Sequence, residues 1–248
     1  MEINLNRDTH GNSKMKLNEI FNKKFLEENM MGPCSPVILE ELLEQVEMRP
    51  GMRVLDLGCG RGLTSVYLAK KYSAQVFAVD LWISASGNYE RFEQMGVADT
   101  VIPIHADAHD MPFADGYFDA VVSVDSYHYF GNNDTFFLEK ICPLLKPGGI
   151  FAAAFPGMKN EISREIPEEM RQYWDDEALT MWHSADWWKP KFENKLQNFR
   201  IWELSCFDRA WQDWLGTENP YAVQDRDMIS TDNGRFMNLI GITGKPKQ

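Results

Sequence analysis

The sequence predicts an α/β fold with a doubly wound, mostly parallel sheet that has helices on both faces. Short apolar segments alternate with helical patterns between residues 53 and 155, at the spacing of βαβ units. The segment 118–124 is apolar on both sides, as a buried parallel strand is. A glycine-rich turn at 58–62 separates the first apolar segment from the helical pattern after it.

The strands and helices of this core follow one another along the chain. The predicted strands are residues 53–57, 75–79, 101–105, 118–124 and 150–155. The predicted helices are 63–72, 89–95 and 135–145, and the sequence Lys146-Pro147-Gly148-Gly149 is a predicted turn before the fifth strand. Parallel strands need crossover connections, so this order indicates βαβ units in one sheet.

A helical arm, residues 1–49, precedes the α/β domain, which we assign to residues 50–248. Residues 1–15 are polar without periodicity and are expected to be loosely attached. Apolar residues then recur at helical spacing over 17–28, which predicts one helix. A second helix is expected to begin with Ser35 as its cap, followed by a proline at its first position.

The last part of the chain has a different composition. Residues 161–181 contain seven acidic and two basic side chains and are predicted to be helical. The segments 199–207 and 236–243 are predicted late strands. We expect two insertions, near 158–188 and 208–234, to form a helical lid.

Composition limits the possible functions. The formal net charge is -12 and no stretch is rich in Lys and Arg, so nucleic acid is not an expected partner. No segment approaches the roughly 20 apolar residues of a membrane span, and the N-terminal segment lacks the apolar run of a signal peptide. The four cysteines have neither metal-ligand nor disulfide spacing. We therefore expect a cytoplasmic protein without a metal site or stable membrane insertion.

The glycine-rich segment 54–62 (VLDLGCGRG) is the most informative part of the sequence. Gly58 and Gly60 permit a tight bend and close approach of a ligand to the backbone. The spacing G-x-G-x-G differs from the G-x-G-x-x-G of dinucleotide-binding loops. Asp56 would repel a pyrophosphate but suits a ligand that carries an ammonium and a sulfonium. The loop therefore favours a cationic ligand.

Acidic residues also follow the second and third predicted strands. Asp80 closes the second strand, where a carboxylate can accept hydrogen bonds from both hydroxyls of a ribose. Leu81 and Trp82 come next and could pack on a purine face. Asp107 follows the third strand and could accept a hydrogen bond from the amine of an adenine. Because open α/β sheets bind ligands at the carboxyl ends of their strands, we predict one nucleoside-binding site.

In these segments the chain resembles the class I S-adenosylmethionine-dependent methyltransferases. The resemblance covers the first motif at 54–62, the ribose acid at 77–81, the adenine segment at 106–113, the fourth-strand motif at 118–129 and the turn at 144–150. It implies a Rossmann-like fold of seven strands, the last one antiparallel, with 199–207 and 236–243 as strands six and seven. It implies S-adenosyl-L-methionine as cofactor and S-adenosyl-L-homocysteine as product. It also implies that Gly58 and Gly60 hold the methionine end, and that Asp107 and Ala108 bind the adenine.

Residues that act on a methyl acceptor are expected just after the fourth strand. His128 is the candidate general base because the usual pKa of histidine lies near neutrality. Tyr127 is a candidate for orienting the acceptor, and both residues could instead be structural. Asp125 is expected to neutralise the ammonium of the cofactor. Many enzymes of the family need no base when the acceptor is already a good nucleophile.

The predicted function is methyl transfer to a small-molecule acceptor, because the arm and the insertions are expected to cover the site. Seven of the eight tryptophans follow residue 173 and are expected to pack the insertions onto the sheet. Binding of an amine or quaternary ammonium by Trp187 or Trp188 is the alternative. A non-catalytic cofactor-binding regulatory or partner protein is the second candidate function, and Asp56 disfavours a nucleotide-dependent oxidoreductase. The acceptor and the oligomeric state stay open.

Overall fold

The computed structural model describes residues 15–162 and 165–247, so most of the segment 1–15 lies outside the described residues. At its centre is a seven-stranded sheet in the order β3-β2-β1-β4-β5-β7-β6. The strands are Arg53–Leu57 (β1), Gln75–Asp80 (β2), Val101–His105 (β3), Phe118–Val124 (β4), Leu145–Met158 (β5), Leu196–Glu203 (β6) and Met237–Pro246 (β7). Strands β1 to β5 pair in parallel, and β7 runs antiparallel to both of its neighbours. The predicted seven-stranded α/β fold is confirmed.

Helices precede the first strand and connect the later ones along the chain. They are Leu17–Ile20 (α1), Lys23–Asn29 (α2), Ser35–Leu43 (α3), Leu63–Tyr72 (α4), Ala85–Gln94 (α5), Tyr127–Phe130 (α6), Ala178–Met181 (α7), Ala185–Phe192 (α8), Phe207–Leu215 (α9) and Pro220–Asp232 (α10). In the described residues, no helix combines the length and the apolar composition that crossing a membrane requires.

Two apolar cores cover the two faces of the sheet. Side chains alternate along each strand, so Val54 packs into one core and its neighbour Leu55 into the other. The first core holds α3 and α4, with Leu39 and Val66 fully buried. The second holds α8 and is rich in aromatic side chains, among them Trp188. Both faces of the sheet are therefore buried, as the apolar composition of its central strands predicts.

Two predicted helices differ from the observed ones for local reasons. The helix expected over 17–28 is divided in two because the Asn22 side chain caps a new helix by accepting a hydrogen bond from Phe25 N at 2.9 Å. The helix expected over 135–145 becomes a π-helical turn followed by a 3₁₀ turn that contains Pro143, which has no N–H to donate.

The prediction that 161–181 is helical is largely wrong. Its described residues form only a 3₁₀ turn at Glu168–Met170 and the single turn of α7. Pro167 disfavours helical backbone in the residue before it. Asp175 accepts a hydrogen bond from Ala178 N at 3.0 Å and so starts a new, short helix.

The turn predicted at 146–149 lies inside β5 as a bulge. Phe118 of β4 pairs with Leu145, whereas Ala120 pairs with Ile150, so extra residues of β5 loop out between the two pairs. The bulge lies at the amino end of β4, and the carboxyl ends of β1 to β4 meet at the opposite edge of the sheet. The strand order reverses between β1 and β4, which is where an open α/β sheet forms its ligand crevice.

Candidate functional site

A cavity of about 400 Å³ lies at the carboxyl ends of β1, β2, β3 and β4. Its walls come from the loops after these strands, from the N-terminal arm and from the segment before α8. The lining includes Met31, Gly32, Gly58, Gly60, Arg61, Asp80, Leu81, Trp82, Asp107, Ala108, His109, Asp125, Tyr129, Glu177 and Met181. The structure therefore brings nearly all of the predicted cofactor residues to one cavity, at the strand edge that the sequence predicts.

The glycine loop has a backbone that other residues would strain or block. Gly58 has φ +73°, and a Cβ built there would lie 2.4 Å from the Ser126 side chain. Gly60 has φ +53° and faces the sulfur of Met31 from the arm. The amides of Gly58 and Cys59 both donate to the carbonyl of Val79, at 2.8 and 3.0 Å. The loop is thereby fixed to β2 and leaves a cradle open to the cavity.

Asp80 joins the glycine loop to the end of β2. Its Oδ2 accepts a hydrogen bond from Gly60 N at 2.8 Å. Its Oδ1 accepts from the amides of Trp82 and Ile83 at 2.8 and 2.9 Å. These three N–H groups hold the carboxylate in one orientation, and Oδ2 keeps acceptor capacity toward the cavity that Asp80 lines.

Asp107 and Ala108 form the wall after β3. Asp107 Oδ1 accepts from the amide of His109 and contacts its Nδ1, both at 2.8 Å. These hydrogen bonds, the one from the His109 amide first, lower the pKa of Asp107 from its usual value. Asp107 is thus a fixed acceptor beside the small, buried side chain of Ala108.

Asp56 lies behind the cavity wall and does not line it. The residue is fully buried, and its Oδ2 accepts hydrogen bonds from Thr64 Oγ1 at 2.6 Å and Ser65 Oγ at 2.5 Å, at the start of α4. Its Oδ1 is buried without a partner among the described residues. Burial raises the pKa of Asp56 to about 6. The structure therefore gives Asp56 no direct contact with the cavity, and Thr64 stands between them.

Asp125, directly after β4, has a carboxylate on the cavity wall. Its backbone is left-handed, with φ +56°, a conformation that Asp tolerates better than most residues. No described residue donates a hydrogen bond to its carboxylate or forms an ion pair with it. Burial, with a smaller contribution from the Asp225 carboxylate, raises the pKa of Asp125 to about 7. An unpaired carboxylate in this position suits a cationic ligand.

Tyr127 and His128, the residues predicted to act on the acceptor, are buried and do not line the cavity. Tyr127 lies in the aromatic core against Phe151 and Trp188, and its hydroxyl has no partner among the described residues. Burial lowers the pKa of His128 to about 3, so its imidazole is neutral near pH 7. Their placement gives neither residue access to an acceptor.

Tyr129 lines the cavity, although sequence reasoning did not select it. Its ring is 5.3 Å from that of Trp82 in an edge-to-face contact, and the two side chains are 47% and 66% exposed. Burial and the carboxylates of Asp125 and Glu177 raise the pKa of Tyr129 to about 12, which keeps its hydroxyl protonated. The signal in the sequence that could have identified Tyr129 is its position two residues after Tyr127, which is buried. The short helix α6 turns these neighbouring side chains to different sides.

Hydrogen bonds connect the N-terminal arm to the glycine loop and to α5. Arg61 donates from Nη1 to the carbonyl of Glu28 at 2.7 Å. Arg91 donates to Asn29 Oδ1 at 2.7 Å and to Asn88 Oδ1 at 3.2 Å, and Asn88 donates to the carbonyl of Gly60 at 2.9 Å. These contacts place the segment from Met31 to Pro33 across the cavity.

The two predicted insertions contribute differently. Glu177 and Met181 of the first insertion line the cavity, whereas no residue of 208–234 does. The second insertion packs α9 against α3, and the carbonyl of Ala210 accepts a hydrogen bond from Cys34 N at 2.9 Å. It therefore braces the arm.

Trp187 and Trp188, for which cation binding was the alternative to a packing role, do not line the cavity. Trp188 is fully buried in the second core. Trp187 stacks on His183 at 3.5 Å, and Lys191 Nζ lies 4.0 Å from the centre of its ring. These contacts are structural, and the tryptophan that lines the cavity is Trp82.

Comparison with known proteins identifies the domain that forms this site. Residues 55–153 match the family described as "Methyltransferase domain". The chain is 36% identical over 102 residues to a fatty-acid O-methyltransferase from Mycolicibacterium smegmatis, covering 41% of this chain and 36% of that protein. It is 36% identical over 123 residues to cyclopropane-fatty-acyl-phospholipid synthase from Escherichia coli, covering 49% of this chain and 30% of that protein. The matches thus span well under half the length of these relatives.

A solved structure agrees over most of the fold. Geranyl diphosphate C-methyltransferase from Streptomyces coelicolor, in complex with Mg²⁺, geranyl diphosphate and S-adenosyl-L-homocysteine, superposes with a TM-score of 0.68 and 18% identity. The superposition covers 86% of this chain and 81% of that one. Together, the match of residues 55–153 to a methyltransferase domain, the strand order with its antiparallel β7 and the glycine loop agree with the resemblance to class I S-adenosylmethionine-dependent methyltransferases.

Proposed function

We propose that the chain is an S-adenosylmethionine-dependent methyltransferase that transfers a methyl group to a small-molecule acceptor. The observation that carries this proposal is the convergence of Asp80, Asp107 and the backbone of Gly58 and Gly60 on one cavity. Relatives that act, by name, on a fatty acid and on geranyl diphosphate support an acceptor of small size.

The residues present fit this cofactor. A Cβ at Gly58 would collide with the Ser126 side chain on the cavity wall, so glycine keeps the backbone in place where the methionine end would lie, and Asp80 retains acceptor capacity for the ribose hydroxyls. Leu81 and Trp82 offer exposed apolar surface for the adenine, and Asp107 and Ala108 line the same cavity. When bound, the cofactor supplies a methyl group that its sulfonium activates.

The protein's own residues have to align the acceptor and exclude water. The arm, held by Arg61 and Arg91, lines the cavity, and so does Met181 of α7. Asp56 supports the glycine loop from behind, through the first turn of α4. None of these roles requires Tyr127 or His128, which we therefore assign to the core.

The cavity also extends beyond the proposed cofactor residues. Tyr129, Glu177 and Met181, none of which is expected to bind the cofactor, line this second part, which a protein that only bound the cofactor would not need. This feature favours an enzyme over the alternative of a non-catalytic cofactor-binding partner.

Calorimetric titration of the purified protein with S-adenosylhomocysteine tests the proposal. Micromolar binding is expected, with no comparable binding of NADH. Asp80→Ala is expected to abolish binding, because it removes the ribose acceptor and the contact to Gly60 N. Asp115→Asn, a change at an exposed acid outside the cavity, serves as the matched control. Tighter binding of NADH, or binding that Asp80→Ala leaves unchanged, would overturn the cofactor assignment.

A further inference from the structure

The charges on the cavity wall are strongly unequal. Four carboxylates line it, those of Asp80, Asp107, Asp125 and Glu177, and its basic side chains among the described residues are Arg61 and His109. Both basic groups are already engaged, Arg61 by the carbonyl of Glu28 and His109 by Asp107. The partner of Arg61 is a neutral carbonyl and leaves its positive charge uncompensated, but the described wall still carries four carboxylates against this one guanidinium.

The proposed function divides these carboxylates into two pairs. The inference about the acceptor rests on that function. Asp80 and Asp107 hold the ribose and the adenine in that assignment. Asp125 and Glu177 also line the cavity, and both carboxylates act on the Tyr129 hydroxyl, so this second pair lies beside Tyr129. The proposed function leaves this second pair to the acceptor.

The carboxylate of Asp125 lacks a partner among the described residues and can receive one from a ligand. Its carboxylate has no hydrogen-bond donor among the described residues, and Gly32 of the arm leaves room for it. A Cβ at Gly32 would lie 2.7 Å from Asp125 Oδ2. Tyr129, which lies close to Asp125, presents an aromatic ring whose face attracts cations, and Met31 and Met181 line the same cavity with apolar side chains.

We propose that the methyl acceptor is an amine with an apolar or aromatic body, and that Asp125, assisted by Glu177, faces its nitrogen. The same two side chains disfavour carboxylate and phosphate acceptors, because these would bring negative charge against them.

The chemistry is consistent with this placement. An amine that enters as an ammonium gives one proton to the Asp125 carboxylate, which passes it on to water before methyl transfer, so that the amine lone pair is free and Asp125 is ionised again. The N–CH₃ bond then forms as the C–S bond breaks and leaves its electron pair on sulfur. The nitrogen becomes positively charged beside Asp125, which is the charge that a carboxylate stabilises. Because the pKa of Asp125 is raised to about 7, this carboxylate can exchange a proton near neutral pH.

Binding to the protein saturated with S-adenosylhomocysteine tests the proposal without depending on turnover. The probes are 2-phenylethylamine and hexylamine, each compared with the carboxylate of similar size, 3-phenylpropanoate and hexanoate. Each amine is expected to bind at least about tenfold more tightly than its carboxylate counterpart. Asp125→Asn should reduce that preference by about tenfold, Glu177→Gln by less, and the exposed control Asp115→Asn should not change it.

The possible outcomes distinguish an amine acceptor from the cofactor assignment. Equal or tighter binding of the carboxylates, or an amine preference that survives in Asp125→Asn, would overturn the amine proposal while normal S-adenosylhomocysteine binding left the cofactor assignment standing. Loss of S-adenosylhomocysteine affinity in Asp125→Asn, with amine binding unchanged, would assign Asp125 to the cofactor's ammonium instead. Failure of the wild-type protein to bind S-adenosylhomocysteine would contradict the proposed function itself.

Discussion

Gly32 of the N-terminal arm lies directly against the carboxylate of Asp125 at the end of β4. The φ angle of Gly32 is not in the left-handed region, so its backbone alone does not require glycine. The requirement is steric, because a Cβ there would come within 2.7 Å of Asp125 Oδ2. The position of the arm and the placement of the acidic group are therefore coupled.

Gly32→Ala is expected to destabilise the protein by no more than about 1 kcal/mol, because the added methyl group displaces the end of the Asp125 side chain, which can move. The free energy of unfolding in urea measures this effect. In the Asp125→Ala background the same change should cost much less, since the atom it contacts is gone. Equal costs in the two backgrounds would show that Gly32 and Asp125 are not coupled.

Gly58→Ala is expected to abolish S-adenosylhomocysteine binding, because its Cβ would lie 2.4 Å from the Ser126 side chain, beside the cradle. Gly96→Ala is the matched control. Gly96 has a similar φ of +66°, but nothing lies within 4 Å of its added Cβ. Both changes should cost about 1–2 kcal/mol of backbone strain, and the control should retain binding in calorimetry. Retained binding in Gly58→Ala would argue against a ligand in the cradle.

Tyr127→Phe is expected to leave cofactor binding unchanged and stability within about 1 kcal/mol of wild type, since the hydroxyl it removes is buried without a described partner. Thermal unfolding and calorimetry measure the two effects. A large loss of methyl transfer with unchanged stability would restore Tyr127 to the site and contradict its assignment to the core.

The affinity for a permanently charged probe, phenyltrimethylammonium, is expected to rise with pH between about 6 and 8. Asp125 is protonated and neutral below its pKa of about 7 and charged above it, so attraction to the cation is lost as pH falls. The Asp225 carboxylate faces Asp125 and raises its pKa further, while Tyr129 stays protonated over this range. Titration calorimetry of the protein saturated with S-adenosylhomocysteine measures the slope, and Asp125→Asn should flatten it. An affinity that falls with rising pH would contradict the proposed role of Asp125.

Most of the fold was predictable because apolar periodicity and glycine placement are local signals. The strands from Arg53 to Val124 follow from runs of apolar residues, and the sharp turn at Gly58 follows from the glycines. The division of the predicted helix over 17–28 into α1 and α2 could not be predicted from the sequence. It depends on whether the Asn22 side chain caps the backbone or faces solvent. The irregular path of 161–181 depends on tertiary contacts such as that of Glu161 with His183.

The site was predictable where a residue ends a strand, and less so where it lies on a helix. Asp80 and Asp107 could be placed from strand ends alone. The assignment of Tyr127 and His128 to the acceptor failed to anticipate the orientation of α6, which turns both side chains into the core and leaves Tyr129 at the cavity. The role of Gly32 depends on an arm that is distant in sequence from Asp125, so no local pattern could reveal it.

A crystal structure of the protein with S-adenosylhomocysteine is the most direct test of the central claim, that this cavity holds the cofactor. We expect ribose hydroxyls within hydrogen-bonding distance of Asp80, the adenine beside Asp107 and Ala108, and the methionine end along Gly58 and Gly60. Electron density for the ligand outside this cavity, or an empty cavity at saturating ligand concentration, would contradict the claim.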